Sequence, residues 1–286
     1  MSTTPFDPDQ YKAGQRQGFD SVASGWRTWW KTLERGAQPL SDRMVELAQI
    51  KSGQRVLDIA TGTGEPAVTA ASRVGSTGHV TAIDLAPQML AIAKERADAL
   101  GLQNITFHEV DAELFDLPKD SFDAILCRFG LMYLPNLVPA LERMRRHLVV
   151  GGRLVAAVWS TPPRSLGASL SFMVTNQILQ APPPPAGTPG PFSLADAEAL
   201  KQKLTEAGFH EVQSETTILD FAFEKAEDFT RYQLEVVSPL IALLANQSPE
   251  KRAQIVQEIT EAARKYAAAD GTVRLPAEAI CVVGQR

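Results

Sequence analysis

The stretch Val56-Leu57-Asp58-Ile59-Ala60-Thr61-Gly62-Thr63-Gly64-Glu65-Pro66 decides how the chain is read. An apolar run enters a glycine turn, and Pro66 follows where the first turn of a helix would lack an N–H partner anyway, so the order is strand, tight loop, helix. Glycines at 62 and 64 permit positive φ and let a ligand touch the backbone, while a helix N-terminus offers free N–H groups. Such a segment is a cradle for a nucleotide or nucleoside. Its cofactor is ambiguous from the loop alone: Gly62, Gly64 and Ala67 also satisfy G-x-G-x-x-G/A, and Asp84 follows Gly64 by 20 residues, where a dinucleotide site places its ribose-binding acid. Asp58 argues the other way. A carboxylate beside a diphosphate is repulsive, whereas beside an ammonium or sulfonium it is welcome.

Outward from this loop, short β-branched or apolar runs alternate with amphipathic segments, the pattern of βαβ units and a mostly parallel sheet. Strands are expected at Arg55 to Ala60, His79 to Asp84, Ile105 to Val110, Phe122 to Cys127 and Arg153 to Trp159, with helices at Pro66 to Val74, Pro87 to Leu100 and Asn136 to Leu148. Gly101 and Gly151 fall where helices would stop. After Trp159, prolines 162, 163, 182 to 185, 189 and 191 flank an apolar helix from Leu166 to Leu179, which reads as a rigid exposed connection. A helix from Ala195 to Glu206, a strand from Phe209 to about Phe221, a helical stretch from Ala226 to Ala269 broken near Ser248 and Pro249, and a last strand from Ala279 to Val283 complete the chain. The organisation expected is a helical cap over 1–50, a ligand-binding core over 51–160, a proline-rich connection with a lid helix over 161–194, and the end of the sheet with a helical insertion over 195–286.

Composition narrows the function. The chain has 286 residues, 28 Lys plus Arg against 33 Asp plus Glu, and a formal net charge of −5. That charge gives no footprint for nucleic acid. Cys127 and Cys281 are too few for a disulfide framework and lie in no metal-ligand spacing, so buried free thiols are expected and no metal is called for. Residues 1–10 lack the charged and apolar regions of a signal peptide, and no run approaches the roughly 18 apolar residues of a membrane span. The reading is a cytoplasmic protein with a small-molecule partner; oligomeric state is not legible.

Four further features stand in order beyond the loop. Asp84 closes the second strand and Met89 follows; Asp111-Ala112 closes the third; Phe122-Asp123 opens the fourth; Gly151-Gly152 precedes the fifth. With Leu57 to Gly64 they make the segment from Lys51 to Trp159 resemble the class I S-adenosylmethionine-dependent methyltransferases, and within them the group related to the ubiquinone and menaquinone C-methyltransferases. Ala60 stands where many members have glycine. The resemblance implies a Rossmann-like fold, a mostly parallel seven-stranded sheet with helices on both faces, and helical lids.

It also implies roles. Asp58 and the backbone of Gly62 and Gly64, with Ala60 and Thr61, would hold the methionine part of S-adenosylmethionine. Asp84 would accept from the ribose hydroxyls, Leu85 and Met89 would pack nearby with Met89 on the adenine face, and Asp111 with Ala112 would meet the adenine edge. The competing readings are an NAD-dependent oxidoreductase, which the position of Asp58 disfavours, and a cofactor-binding scaffold that transfers nothing.

On the acceptor side, Arg128, Phe129 and Tyr133 follow the fourth strand directly. Arg128 could anchor a substrate anion or the cofactor carboxylate, and Tyr133 could move a proton. Tyr11, Trp26, Trp29 and Trp30 precede the core, and the three tryptophans share one helical face by the i, i+3, i+4 rule, which suggests a flap over the cofactor and an aromatic acceptor. None of the four histidines, at 79, 108, 147 and 210, falls at the carboxyl end of a strand, so none is an evident general base.

Overall fold

The computed structural model describes residues 6–182, 184–185 and 187–286. Residues 1–5 of the expected cap and Pro183 of the proline run lie outside the described residues.

Seven strands form one sheet: β1 (Arg55–Ile59), β2 (His79–Asp84), β3 (Ile105–Glu109), β4 (Phe122–Arg128), β5 (Leu148–Trp159), β6 (His210–Phe223) and β7 (Val273–Gln285). Their order is β3-β2-β1-β4-β5-β7-β6, with β1 to β5 parallel and β7 antiparallel to both neighbours. The chain winds outward from β1 to β3 and then restarts on the other side at β4. A crevice opens where the winding reverses, beyond the carboxyl ends of β1 and β4, and ligands of such sheets bind there.

The strands read as continuous apolar runs because both faces are covered. Val56, Ala82, Ala124, Leu126, Val155 and Ala157 join one buried cluster, while the alternate residues Leu57, Ile83, Ile125, Cys127, Leu154 and Ala156 join another on the opposite face. The period of two that separates those sets is the pleat itself. Around the sheet lie α3 (Ala67–Val74), α4 (Pro87–Ala99), α5 (Leu137–His147) and α7 (Ala197–Glu206). The cap consists of α1 (Pro8–Ser21) and α2 (Ala23–Leu47), and a roof is built from α6 (Leu166–Leu179), α8 (Ala226–Val236), α9 (Ser238–Ala245) and α10 (Pro249–Arg264). Both cysteines are free and buried.

Four local expectations need correction. Gly151 does not stop a helix: α5 ends at His147, and Gly151, at φ +80°, lies inside β5 where the pairing with β4 slips between Phe122–Leu148 and Ala124–Arg153. A bulge of this kind needs the same positive φ as a helix stop, so the glycine signal is shared. The stretch 226–269 breaks a second time, because Val237 leaves helical geometry (φ −99°, ψ 86°) ahead of Pro239 at the start of α9. β7 runs 13 residues rather than the five of 279–283, since its partner β6 is equally long and Arg274, Pro276 and Glu278 interrupt the apolar pattern without ending the pairing. Pro66 caps α3 rather than opening it.

Candidate functional site

The glycine loop leaves β1 and is held by its own groups. Gly62 N–H donates to Asp84 Oδ2 (2.8 Å), Gly64 N–H to the Thr61 carbonyl (2.8 Å), Thr61 N–H to the Ile83 carbonyl (3.0 Å), and Ala67 N–H to Asp58 Oδ2 (3.0 Å). The amides expected to face a ligand are therefore engaged within the loop. What remains bare is a different kind of group: Asp58 Oδ1 and Thr61 Oγ1 are buried without a hydrogen-bond partner. Burial pushes the Asp58 carboxyl up to about 7, against the milder pull of neighbouring Thr61 and Arg128. A buried carboxylate oxygen left without a donor is costly, and a cationic donor would relieve it.

Backbone strain is concentrated at the same place. Gly62 and Gly64 have φ of +54° and +103°, and two residues with side chains, Ala60 and Phe129, also sit at +55° and +61°. Non-glycine residues in this region cost of order 1–3 kcal/mol and mark over-determined sites. Gly130 explains part of it, since a Cβ there would fall 2.6 Å from Ala60 Cβ and 2.7 Å from Cys127 Sγ. The loops after β1 and β4 thus touch.

Beyond β2, Asp84 accepts from Gly62 N–H through one oxygen and from Ala86 N–H (2.9 Å) through the other, and each oxygen retains a lone pair for a further donor. Met89 is buried with its Cε facing Gly62, 3.8 Å from where a Cβ would stand. Leu85, just after β2, is half-buried. Asp111 and Ala112 are half-buried past β3, but the Asp111 carboxylate is held by Lys12 of α1 (2.8 Å), which also reaches Glu113 (3.3 Å). Lys12 carried no signal in the sequence, because a lysine on a polar helix is normally a solvated one.

Arg128 closes the other side. Its guanidinium donates to Ser41 Oγ of α2 (2.8 Å); burial lowers its pKa, and attraction by Glu65 and Asp58 opposes that. Only this one of its five N–H donors is accounted for here, so the group can still grip a carboxylate. Behind the loop, buried Arg96 donates to the Thr63 carbonyl (2.5 Å) and pairs with Glu34 (2.9 Å) and Glu65 (3.5 Å). This network locks the loop to α2 and was invisible in sequence, its members being scattered from residue 34 to residue 96.

The aromatic residues divide. Phe19 packs edge-on against Tyr133 (5.8 Å between centroids), and Phe19 and Trp26 pack on Ala86, Met89 and Ile92. Tyr11 Oη and Trp26 Nε1 are buried without partners. Trp29 and Trp30 do not join them. Trp29 turns to Phe223 and Tyr232 and donates to Glu235 (2.6 Å), and Trp30 lies against the Arg96 guanidinium at 4.5 Å. One helical face spans enough arc for three indoles to reach three neighbourhoods. Phe129 stacks on Trp159 (3.8 Å, 18°), which in turn meets Phe221. Trp159 was a missed residue; its place at the carboxyl end of β5 was the available signal.

The histidines stay out. His147 has its ring nitrogens on the Arg143 and Leu117 carbonyls (both 2.8 Å), His79 bonds Thr106, and His108 and His210 are exposed on the sheet. Among the described residues there is no group of three His, Cys, Asp or Glu side chains fit to hold a metal, and no helix long and apolar enough to cross a membrane. A groove of about 290 Å³ between α2 and β6, lined by Arg35, Pro39, Ile218 and Arg274 among others, shares no residue with this site.

Known proteins carry similar sequences and folds. A methyltransferase domain family matches residues 50–179. The chain is 37% identical over 144 residues to the aklanonic acid methyltransferase DauC of Streptomyces sp. (strain C5), a match covering 50% of this chain and 64% of that protein. It is 33% identical over 229 residues to the ubiquinone/menaquinone biosynthesis C-methyltransferase UbiE of Pseudomonas putida (strain F1), covering 72% of this chain and 85% of the relative. Among solved structures, phosphoethanolamine N-methyltransferase 2 of Haemonchus contortus, in complex with S-adenosylhomocysteine, superposes with a TM-score of 0.60 at 20% identity over 95% of this chain and 60% of that one. The [4+2]-cyclase SpnF superposes with a TM-score of 0.53 at 24% identity over 87% of this chain and 80% of its own. The structural likenesses show the fold alone.

Proposed function

The chain belongs to the class I S-adenosylmethionine-dependent methyltransferases, and on that premise we propose that it transfers a methyl group to a small, largely apolar or aromatic metabolite. The observation that carries the reading is the polarity of what the glycine loop leaves bare. A dinucleotide cradle turns free amides toward a diphosphate. Here the amides of Gly62, Gly64 and Ala67 are engaged, and an acid oxygen is left without a donor. Such a site suits a cation.

S-adenosylmethionine, when bound, supplies a methyl group on a positively charged sulfur. The residues fitted to hold it are Asp58 for the ammonium, Arg128 for the carboxylate, Asp84 for the ribose hydroxyls, and Met89 with Leu85, Asp111 and Ala112 around the adenine. Asp111 then exchanges or shares its Lys12 contact. Ala60, Thr61, Gly62 and Gly64 shape the loop. Phe129 and Tyr133, with Tyr11 and Trp26 from the cap, border the acceptor, and their task is alignment, for which orientation alone can supply about 7–11 kcal/mol of the barrier. Trp29 and Trp30 anchor the cap instead. No histidine is in position to act as base. The protein would work in the cytoplasm, on a free small molecule rather than a nucleic acid.

Calorimetry with S-adenosylhomocysteine tests the cofactor half. Binding is expected, and Asp84→Ala should weaken it roughly tenfold to a hundredfold, the value of a charged hydrogen bond. A response to NAD and none to S-adenosylhomocysteine would sink the reading. Methyl transfer to a panel of phenols, enols and quinols, followed by mass spectrometry, tests the other half.

A further inference from the structure

Two arginines approach the glycine loop, and α2 meets them with different chemistry. Arg96, on α4, lies behind the loop with its guanidinium on the Thr63 carbonyl and in ion pairs with Glu65 and with Glu34 of α2. Its charge is neutralised where it stands. Arg128, at the end of β4, donates to Ser41 Oγ of α2 at 2.8 Å, and among the described residues no carboxylate forms an ion pair with it; Glu65 and Asp58 attract it only through space. A guanidinium keeps its charge even where water is scarce. A desolvated cation without an ion pair is costly until an anion joins it.

Ser41 is fully buried, on a helix whose sequence reads as a cap. It is the last member of a stripe, because Trp30, Glu34, Gln38 and Ser41 follow one another at i, i+4, i+8 and i+11 along one helical face. Trp30 lies against the Arg96 guanidinium (4.5 Å), Glu34 pairs with it (2.9 Å), and Gln38 donates to Thr69 Oγ1 (3.0 Å), which donates to Glu65 Oε2 (2.7 Å). The stripe thus runs along the back of the loop, and Ser41 is where it reaches Arg128. A hydroxyl suits that place as an acid would not. It accepts one N–H and restrains the guanidinium while leaving the positive charge uncancelled, whereas a carboxylate at 41 would satisfy Arg128 as Glu34 satisfies Arg96.

We propose that Ser41 is a positioning residue of the cofactor site, holding the Arg128 guanidinium oriented and free of any ion pair so that its remaining donors take the carboxylate at the amino-acid end of the cofactor. The inference rests on the methyltransferase reading and gives the cap helix α2 a part in cofactor recognition, distinct from covering the acceptor. Ser41 acts through Arg128 and not on the cofactor directly, so its loss is felt at one end of the ligand alone.

The test compares two ligands by calorimetry on the full chain: S-adenosylhomocysteine, and 5′-methylthioadenosine, which keeps adenine, ribose and sulfur and lacks the amino-acid end. Wild type should prefer S-adenosylhomocysteine. Ser41→Ala should reduce that preference by about threefold to tenfold, the value of one hydrogen bond, and leave 5′-methylthioadenosine binding in place. Thr28→Ala, which removes an exposed hydroxyl of the same helix bonded to the Ser24 carbonyl, should change neither ligand. Arg128→Met should lower the preference further, and in that background Ser41→Ala should add nothing, as a double-mutant cycle requires of a residue acting through another. Equal weakening of both ligands by Ser41→Ala marks a merely structural hydroxyl and overturns the proposal. So does an unchanged preference, or a second loss of the same size on top of Arg128→Met. In each of these cases wild-type binding of S-adenosylhomocysteine leaves the cofactor reading standing; if wild type does not bind it, both fall.

Discussion

The two cap helices are neighbours in sequence and opposites in attachment. α1 buries no residue; Phe19 packs on apolar neighbours, Tyr133 and Met89 among them, and polar ties hold the rest: Lys12 to Asp111 and Glu113, Arg16 to Glu109, and Asp20 to the Gln88 amide. α2 buries nine residues, from Ala23 to Val45, and places Gly25 against the backbone of α8 and Gly36 against Phe221. A helix with no buried residue can leave without opening a core: the exposed Arg16–Glu109 pair contributes only about 0–1 kcal/mol, and the partly buried Lys12 pairs are the main tie to break. One that buries an apolar face cannot. The cap is thus a fixed beam with a detachable cover, and the cover carries Tyr11.

Paired glycine substitutions probe this difference most strongly. At Gly25 an added Cβ would lie 2.0 Å from the Glu235 carbonyl oxygen, a backbone atom that cannot swing aside. Gly25→Ala should therefore destabilise the protein by about 1–3 kcal/mol, the range for overpacking, measured by urea denaturation. At Gly14, nothing lies within 4 Å of the added atom. Gly14→Ala should strengthen the α1 helix by about 0.5–1 kcal/mol, readable as slower amide exchange over 8–21. Equal signs at the two positions would break the distinction.

The same division separates pH from salt. Asp58 is buried without a paired cation and its carboxyl is raised from 3.8 to about 7, whereas the acids that hold α1 sit against the cations Lys12 and Arg16. Between about pH 4 and 7 the unfolded chain has lost the Asp58 proton and the empty folded protein has kept it. The folded state then binds more protons, so stability falls as pH rises through that window and levels off above 7, at most about 1.4 kcal/mol per pH unit. Asp58→Asn should flatten this slope in urea melts at about pH 5 and pH 7.5. Saturating S-adenosylhomocysteine should also flatten it, because an ammonium partner favours the ionised acid. A slope unchanged by Asp58→Asn would remove the carboxyl as its source.

Legibility followed the same line. Strands β1 to β5 and the crevice beside them could be read from residues 51–160 because both-face burial writes apolar runs and glycine loops into local sequence. Asp58, Gly62, Asp84 and Met89 were found that way, and they do converge. The contacts that complete the site were not legible: Lys12 with Asp111, Ser41 with Arg128 and Arg96 with Glu34 join residues dozens of positions apart, and each looks like an ordinary surface side chain. The loop amides show another limit. Glycine at 62 and 64 announced a backbone able to approach a ligand, but whether its N–H groups faced outward depended on Asp84 and Thr61 claiming them first. Trp29 and Trp30 were placed with Trp26 because periodicity gives a face and not a neighbour.

The smallest effect is the most discriminating for the cover. Lys12→Met keeps the aliphatic stem and removes the partly buried charge that Asp111 and Glu113 share; Asp111 still accepts from the Glu113 N–H and Glu113 from the Asn136 N–H, so global stability should fall by about 1 kcal/mol. Exchange over 8–21 should nevertheless quicken several-fold, because α1 has no buried side chain to fall back on. Raising the salt to about 1 M, where the screening length is roughly 3 Å, should quicken the same segment further in both proteins, because the exposed Arg16–Glu109 pair remains in Lys12→Met. Exchange over 23–47 should respond far less to either, since nine buried residues hold α2 beneath its ion pairs to Glu95, Glu215 and Arg96. Should both helices loosen together, α1 is not a separate cover, and access to Tyr11 would have to come through an opening of the roof around α8 and α9.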